Sequence, residues 1–451
     1  MDHQSGPGVS EHKPSPSGIH CQKGPNPCVA CQSLSALDAE YAAARMVLLS
    51  RVNEHHDPFI LRLPVELASR IFTHCLPYPA SLNVFSTLED EADEEYTQPI
   101  PFILASVSAQ WRRIALATPQ LWNILSLNFE GEDPAPSPFI INEWLHHSGT
   151  LPLYIRVFCG EEPESEESLI PLFNHLNRES HRWKVLELHL PSRLFSQFHG
   201  SSSTSHPTNS LVRLKLYPVA EEYNVMDYLP VSFRLQTQPF PRSLIISKIS
   251  LSMISVGWTR LTNFDATSVT LGDCMRVMLY SPRLERCTLE EVERDHDDSE
   301  LPCLHVTHHN LSYLDVFHHM PDFLTFFTLP SLRELHFDAS NTPSTQIEEF
   351  LERSRIFGTL DAITLSGYEP NSSIDYSDLY ELLRALSSLT RLSIVETLIT
   401  DDFFQLFAPS TSQVPLDIAD GVFLPRLRYL RIKVYPQFYH TLPRKAMPDR
   451  I

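Results

Sequence analysis

Four potential zinc ligands lie close together near the N-terminus. The stretch HCQKGPNPCVAC contains His20, Cys21, Cys28 and Cys31, and its last two cysteines have the Cys-x-x-Cys spacing of a zinc-binding pair. A structural zinc site usually takes two such pairs, whereas the first half here is only an adjacent histidine and cysteine. The pattern therefore favours free cysteines in a tail over a zinc site.

A second group of potential ligands lies in the stretch LHVTHHNLSYLDVFHHM. Its five histidines are His305, His308, His309, His318 and His319. Adjacent residues on a strand point to opposite faces, so neither pair of neighbouring histidines can place both rings on one ion there. The sequence favours histidines at strand edges and in loops, available to a binding surface, over a metal site.

Other signs of catalytic or cofactor chemistry are missing from the sequence. There is no phosphate-binding glycine loop, no nucleophile elbow and no HExxH helix. Only 13 of the 451 residues are glycine, so tight turns that could cradle a cofactor are scarce. We therefore expect a protein without a cofactor or a bound metal, and one that is not an enzyme.

The net charge and the cysteine content limit the kinds of partner and the cellular location that we expect. The formal net charge is −20, from 55 acidic against 35 basic residues, which argues against nucleic acid or an anionic membrane surface as a partner. The eight cysteines are mostly scattered, which is typical of reduced thiols. The sequence shows neither an apolar signal segment nor a membrane-spanning run. A location in the cytosol or the nucleus is expected.

Two acidic runs interrupt the chain, EDEADEE at 89–95 and EEPESEES at 161–168. Blocks of like charge are usually solvated loops, and we favour that interpretation. The alternatives are a contact for a basic partner and a kinase site at Ser165 or Ser168 in an acidic setting.

The segments that would position any site begin with a helix. In SLSALDAEYAAARMVLLSRV, the apolar residues Leu34, Leu37, Tyr41, Leu48 and Val52 recur at helical spacing. This predicts one helix over 33–56, a candidate for a short coiled coil.

The next segment, FILRLPVELASRIFTHCLP, predicts a short amphipathic helix. Pro64 stands where the helix would begin, and Glu66 falls in its first turn, where a carboxylate favours the helix dipole. Leu67 and Ile71 are four residues apart and share a face, which Phe72 widens.

After an acidic insertion, FILASVSAQWRRIALATPQLWNIL predicts a second helix. Leu104, Val107, Trp111 and Ile114 step by three, four and three residues, which places them on one helical face. Thr118 and Pro119 then read as the N-cap and first residue of a further short helix.

Beyond Trp122 the sequence changes to short strand-like segments. SLNFE (126–130) and LPLYIRVF (151–158) are predicted strands separated by the helical FIINEWLHHSG. A six-residue motif then recurs, with bulky residues at its first, fourth and sixth positions. We call this motif the repeated phrase. It occurs in WKVLELHL (183–190), LVRLKLY (211–217), LTNFDA (261–266), LERCTL (284–289), LSYLDV (311–316), LRELHF (332–337), LDAITL (360–365), LTRLSI (389–394), LRYLRI (427–432) and, diverged, RSLIIS (242–247).

The phrases have a regular period. Those beginning at Leu284, Leu311, Leu332, Leu360 and Leu389 follow at intervals of 27, 21, 28 and 29 residues. Helical stretches at 344–357 and 375–389 lie between phrases. This period is close to that of a leucine-rich repeat, in which strand-plus-helix units stack because none can bury its apolar face alone. An ordinary α/β domain with leucine-rich strands is the alternative.

The ordered motifs LPVELASRIF, SVSAQWRRIA and TPQLW resemble the F-box in its fungal, basidiomycete-type F-box-like form, followed by degenerate leucine-rich repeats. The resemblance covers nearly the whole chain after residue 33. It departs from the compact F-box by the insertion at 78–98, and from the standard repeat by a general lack of its asparagine.

The resemblance implies the substrate receptor of an SCF-type ubiquitin ligase. The chain would bind the Skp1 adaptor, and through it a cullin, while the repeats bind a protein target of unknown identity. The resemblance implies that Skp1 is bound by Leu63, Pro64, Leu67, Ile71, Phe72, Val107, Trp111 and Ile114. A scaffold for protein interactions that never joins a ligase is the alternative.

The expected fold class is α/β, with an N-terminal three-helix F-box-like unit followed by an irregular leucine-rich-repeat solenoid. The predicted boundaries are a tail at 1–32, a helix at 33–56, the F-box-like domain at 57–127, the repeat domain at 128–440 and a second tail at 441–451.

Overall fold

A computed structural model of the protein describes twelve stretches of the chain. They are residues 29–56, 62–76, 100–129, 137–160, 166–201, 210–219, 232–294, 305–338, 342–367, 376–395, 401–407 and 423–433. The chain divides into a first unit of Met1–Leu76 and Pro99–Thr118 and a second of Pro77–Gln98 and Pro119–Ile451. Most of the zinc candidates and the acidic run at 89–95 lie outside the described residues.

The described part of the first unit is helical. Its helices are α1 (Val29–His56), α2 (Val65–Thr73), α3 (Ile100–Val107) and α4 (Ala109–Leu116). Pro64 immediately precedes α2, and its carbonyl oxygen accepts hydrogen bonds from the backbone N–H groups of Leu67 and Ala68. The predicted start of this helix is therefore confirmed to within one residue.

The second predicted helix is interrupted at Ser108, so the expected continuous face is wrong. Ser108 has an extended backbone (φ −156°, ψ 167°), and its hydroxyl accepts a hydrogen bond from the backbone N–H of Trp111 at 3.2 Å. It thus acts as the N-cap of α4 and ends α3 at Val107. Spacing across this break no longer implies a shared face, and Val107 is exposed whereas Ile114 is buried.

The predicted helix after Thr118 is a single 3₁₀ turn over Pro119–Leu121. The Thr118 hydroxyl lies 2.7 Å from the Ile114 carbonyl oxygen and 2.9 Å from the Ser69 hydroxyl. Thr118 therefore ties the end of α4 to α2 within the first unit.

Parallel strands dominate the second unit. The strands are β1 (Ile124–Asn128), β2 (Leu153–Phe158), β3 (Trp183–Pro191), β4 (Arg213–Val219), β5 (Ser243–Ser247), β6 (Asn263–Thr270), β7 (Arg286–Glu293), β8 (Val306–Thr307), β9 (Tyr313–His319), β10 (Phe327–Thr328), β11 (Glu334–Asp338), β12 (Ala362–Ser366), β13 (Arg391–Val395) and β14 (Tyr429–Lys433). Within the described residues, β8 and β10 pair with each other, and the other twelve form one sheet in chain order. Its neighbours pair in parallel throughout.

The sequence located all twelve strands of the large sheet. Each of the ten repeated phrases, the diverged one included, overlaps one of them, and the two earlier predicted strands overlap β1 and β2. The fold is therefore α/β with a large parallel sheet.

Helices alternate with many of the strands. They are α5 (Pro138–His147), α6 (Glu166–Arg178), α7 (Leu271–Tyr280), α8 (Ser344–Ser354), α9 (Tyr376–Ala385) and α10 (Asp401–Gln405), with 3₁₀ turns at Ser180–Arg182, Ser192–Gln197, Leu251–Met253, Trp258–Arg260 and Phe323–Phe326. The predicted helices at 344–357 and 375–389 correspond to α8 and α9. In the part of the chain that is described, no helix combines the length and apolarity needed to cross a bilayer.

Two rows of apolar side chains run across one face of the sheet. In β3 the rows contain Leu186 and Leu188, which are both fully buried. The register aligns Leu186 with Leu214 of β4 and Leu188 with Leu216, and the same pairing continues strand by strand. Because side chains alternate along a strand, the residue between the two rows points to the opposite face, which we call the polar face.

A repeated hydrogen bond joins the beginnings of the strands. The carbonyl oxygen of Glu285, just before β7, accepts hydrogen bonds from the backbone N–H groups of Ser312 and Tyr313 at the start of β9. The carbonyl of Ser312 does the same for Arg333 and Glu334, and that of Asp361 for Thr390 and Arg391. The recurrence shows that successive units begin in the same way.

Residues in or directly after four neighbouring strands share an unusual backbone conformation. Lys248, Ser268, Glu291 and His318 have φ between 47° and 57°, in the left-handed region that costs most non-glycine residues free energy. Ser268 and Glu291 lie between the paired residues of β6 and β7, and Glu291 and His318 between those of β7 and β9. The left-handed residues therefore form a row across this part of the sheet.

The exposed member of this row provides a test of that backbone strain. We expect His318→Gly to raise the free energy of unfolding by up to about 1 kcal/mol, because glycine adopts positive φ without steric cost. His318→Val should lower it by a similar amount or more. Urea denaturation measures both. His309→Gly, at an exposed position with negative φ, is the control and should not stabilise the protein. Equal stability of wild type, His318→Gly and His318→Val would contradict the assigned conformation.

Candidate functional site

The eight residues that the resemblance assigns to Skp1 binding occupy different environments in the first unit. Leu67, Ile71 and Val107 are 47%, 40% and 46% exposed, although large aliphatic side chains favour burial. Pro64 is also exposed, and Leu63 is partly buried. These are surface or near-surface positions that a partner can reach.

Phe72 and Ile114 have a different role, because both are buried in the protein core, with exposures of 1% and 2%. The ring of Phe72 lies 4.7 Å from the ring of Trp111, centroid to centroid, and Trp111 itself is partly buried. These aromatic side chains join α2 to α4 and support the surface residues from beneath.

Other exposed apolar residues in this unit escaped the sequence analysis. Ile103 in α3 is 41% exposed and lies four residues before Val107, so the two share a face as Leu67 and Ile71 do in α2. Phe102 and Val65 are exposed as well. The sequence did contain a sign of this exposure. Helix α3 has the sequence IPFILASV, which holds more large apolar side chains than one buried face of a two-turn helix accommodates. We name Leu67, Ile71, Ile103 and Val107 the docking residues.

The polar face of the sheet carries a row of mostly polar side chains at the central position of each strand. The register aligns Ser126, Arg156, Glu187, Lys215, Ile245, Asp265, Thr288, Asp315, His336, Thr364, Ser393 and Arg431 from β1 to β14. We call these twelve residues the central row. Sequence reasoning found the strands but did not assign these positions to a common surface.

Glu187 is the centre of a charged cluster in this row. One carboxylate oxygen lies 3.1 Å from Nε of Arg156 and 4.0 Å from Nζ of Lys215, and the other lies 3.1 Å from Nε2 of His189. Burial raises the pKa of Glu187, but the hydrogen bond from His189 and the charge of Arg156 outweigh it, so the net shift is downward. The carboxylate thus remains ionised as the anchor of two cations and a histidine.

The ring of His189 is held in place by stacking. It lies between Phe158 of β2, at 4.2 Å between centroids, and Tyr217 of β4, at 4.4 Å. Three aromatic rings from three adjacent strands therefore flank the Glu187 cluster and fix the orientation of its histidine.

Lys215 and Asp265 are separated in the central row by Ile245. With neighbouring strands about 4.8 Å apart, their backbones are about 10 Å apart. Burial lowers the pKa of Lys215 to about 8 and raises the pKa of Asp265 to about 6, and in each case opposite charges offset only part of that effect. The middle of the polar face therefore holds two ionisable groups that titrate nearer to neutrality than usual.

A second polar cluster lies further along the row. The Tyr313 hydroxyl donates a hydrogen bond to Asp315 at 2.8 Å, and Nδ1 of His336 lies 3.4 Å from the same carboxylate oxygen. The guanidinium carbon of Arg286 sits 3.6 Å from the centre of the Tyr313 ring. Tyr313 and Asp315 are buried, so His336, with a side chain 25% exposed, is the member of this cluster that a partner could reach most readily.

The five histidines of 305–319 serve separate structural roles. His305 contacts Thr325 and Thr328, His318 is exposed, and Nδ1 of the buried His319 lies 2.8 Å from the carbonyl oxygen of Met320. In the described part of the chain, no three His, Cys, Asp or Glu side chains converge as a metal site requires.

His308 has a defined tautomer. Its Nδ1 accepts hydrogen bonds from the backbone N–H groups of Asn310 and Leu311, at 3.3 and 3.0 Å. Nε2 must therefore carry the proton, which it donates to the carbonyl oxygen of Ser281 at 3.0 Å. Burial lowers the pKa of His308, in agreement with a ring that must stay neutral.

Comparison of the chain with known protein families and with curated proteins finds no match.

The neutral His308 should make stability depend on pH. The unfolded ring takes up a proton near pH 6.5, while the folded ring resists it, so stability should fall as pH drops below about 6.5. His308→Gln should lower the free energy of unfolding at pH 8 by about 1–3 kcal/mol, because it disturbs three hydrogen bonds, two of which are buried. The loss should shrink between pH 7 and pH 5.

The measurement is urea denaturation of both proteins across that pH range. The difference between them isolates His308 from the other 20 histidines. A constant difference would show that the folded state tolerates a protonated His308.

Proposed function

We propose that this chain is the substrate-receptor subunit of an SCF-type ubiquitin ligase. The first unit would be an F-box-like docking module for the Skp1 adaptor, which links it to a cullin, and the second a degenerate leucine-rich-repeat domain. The observation that carries the proposal is the exposure of the docking residues within the unit that contains the LPVELASRIF and SVSAQWRRIA motifs. The chain itself would carry out no chemistry.

The docking residues support a helix-based interface. They form two pairs spaced four residues apart, Leu67 with Ile71 on α2 and Ile103 with Val107 on α3. Partner helices recognise apolar residues at this spacing, and burying such residues supplies most of the affinity of a helical interface. Because Phe72 and Ile114 are core residues, their contribution would be to hold the helices in place.

The repeat assignment is supported by three regularities of the second unit. Its strands occur in chain order, its apolar rows continue from strand to strand, and its strand starts share one hydrogen-bonding pattern. A stack of similar units produces these features because each unit contacts mainly its neighbours.

The polar face would bind the target. The groups on it that a partner can reach are Arg156, His189 and His336, whose side chains are 24%, 23% and 25% exposed. The buried Glu187 and Asp315 hold these three side chains in place. Holding a target near a charged conjugating enzyme raises its effective concentration there, so a receptor of this kind promotes ubiquitin transfer by proximity alone. Such a subunit would work in the cytosol or the nucleus.

The test is capture of the full chain by purified Skp1 adaptor. Leu67→Asp with Ile71→Asp should weaken capture by at least about 30-fold, since charges placed in an apolar interface cost more than 2 kcal/mol. Phe139→Asp is the control, because Phe139 is 69% exposed in α5 of the second unit and should not affect docking. Circular dichroism establishes that each variant is folded.

The outcomes separate the two functions considered. Equal capture of wild type and both variants would show that Leu67 and Ile71 do not contribute to Skp1 binding. If folded wild-type protein is not captured at all, the ligase proposal is wrong, and the chain is better described as a scaffold for protein interactions.

A further inference from the structure

Helix α1 is long, and its side chains are open to solvent. It spans 28 residues, or about 42 Å at 1.5 Å per residue. From Val29 to Val52, every side chain is exposed except Cys31 and Ser50, which are partly buried. Helices in water gain most of their stability from packing an apolar face. We therefore expect the exposed apolar residues of α1 to pack against a partner.

One side of α1 forms a continuous apolar seam. Ala30, Leu34, Leu37, Tyr41, Ala44 and Leu48 follow one another at steps of four, three, four, three and four residues. This is the alternation of d and a positions in a heptad repeat. The large members are between 40% and 71% exposed, and the seam from Ala30 to Leu48 contains no charged residue. The next d position is Arg51, where the apolar seam ends.

The charged residues that flank the seam indicate which kind of helix could pack against it. With Leu34, Tyr41 and Leu48 at a, Glu40 occupies a g position and Arg45 the following e position. In a parallel two-stranded coil, each g residue faces the e residue five positions later on the other helix. Two identical α1 helices would therefore make two Glu40–Arg45 ion pairs, one on each side of the seam.

The next flanking positions fit the same arrangement. Val47, at g, faces Val52, at e, and these residues are 53% and 51% exposed. Both the charges and the apolar flanks of the helix are thus complementary to a second copy of itself. We propose that α1 mediates homodimerisation as a parallel coiled coil.

The mass of the full chain in solution tests this proposal. Sedimentation equilibrium of wild-type protein should give twice the monomer mass of 51.6 kDa. Leu37→Glu with Leu48→Glu places charges in the seam and should weaken association by at least about 100-fold. Ala39→Glu with Met46→Glu is the matched control, because both residues are exposed f positions on the opposite side of the same helix.

The control variant should remain dimeric. Monomeric wild-type protein at micromolar concentrations would overturn the proposal, as would a seam variant that is still dimeric. A wild-type monomer would mean that the seam serves a different occupant. Capture by the Skp1 adaptor is measured separately, so failure of the dimer leaves the ligase proposal intact.

A charge exchange tests the identity of the partner. Glu40→Arg makes both flanking positions positive, and Arg45→Glu makes both negative, so each variant should dimerise more weakly than wild type. When mixed, the two variants should associate, since all four charges are then complementary. Lack of preferential association would disprove the Glu40–Arg45 pairing.

Engineered disulfides test the direction of the helices. Ala30→Cys and Ala44→Cys introduce thiols at d positions, which lie side by side in a parallel coil. In a background in which Cys31 and Cys75 are replaced by serine, mild oxidation with oxidised glutathione should give covalent dimers of both variants but not of the background protein. In an antiparallel coil, at most one of the two could do so, and that result would reject the parallel arrangement.

Discussion

The second unit depends on one constraint: no strand of its sheet can bury its own apolar side chains. Leu186 and Leu188 of β3 have no exposed surface because the matching residues of β2 and β4 lie beside them, and those in turn depend on β5 and beyond. The free energy of apolar burial is therefore shared along the whole array. A unit removed from the middle would expose the rows on both sides of the gap.

The register that aligns the apolar rows also determines where polar side chains lie. The residue between two buried apolar positions has to point to the opposite face, so Glu187, Lys215 and Asp265 are aligned by the same register that aligns the leucines. Because Asp265 has its pKa raised to about 6, keeping it ionised above that pH opposes folding, and the cost disappears as pH falls.

Much of the fold could be predicted from sequence because it rests on local spacing. The phrases LERCTL and LRELHF identified β7 and β11 through the alternation of bulky residues alone. The break at Ser108 was missed, because an apolar spacing of three and four residues continues through it and the cap is a local hydrogen bond. The left-handed row was invisible for another reason: Lys248, Ser268, Glu291 and His318 include no glycine to mark positive φ.

The docking residues were only partly predictable for a similar reason. A motif identifies apolar positions but does not separate Phe72, which supports α2 from below, from Ile71, which is exposed next to it. Solvent exposure depends on the neighbouring helices, which spacing within one helix does not specify. The same limit explains why Ile103 escaped notice despite the apolar excess of α3.

The two proposals have a joint physical consequence. A dimer through α1 carries two polar faces and two sets of docking residues, so a target with two binding segments can bind both copies. The second contact is then intramolecular, and its strength depends on effective concentration rather than on new contacts. A receptor whose single face binds weakly would in this way hold a bivalent target firmly while releasing a monovalent one. Selectivity of that kind needs no deep pocket, and it suits a sheet face whose charged and aromatic groups are spread across many strands.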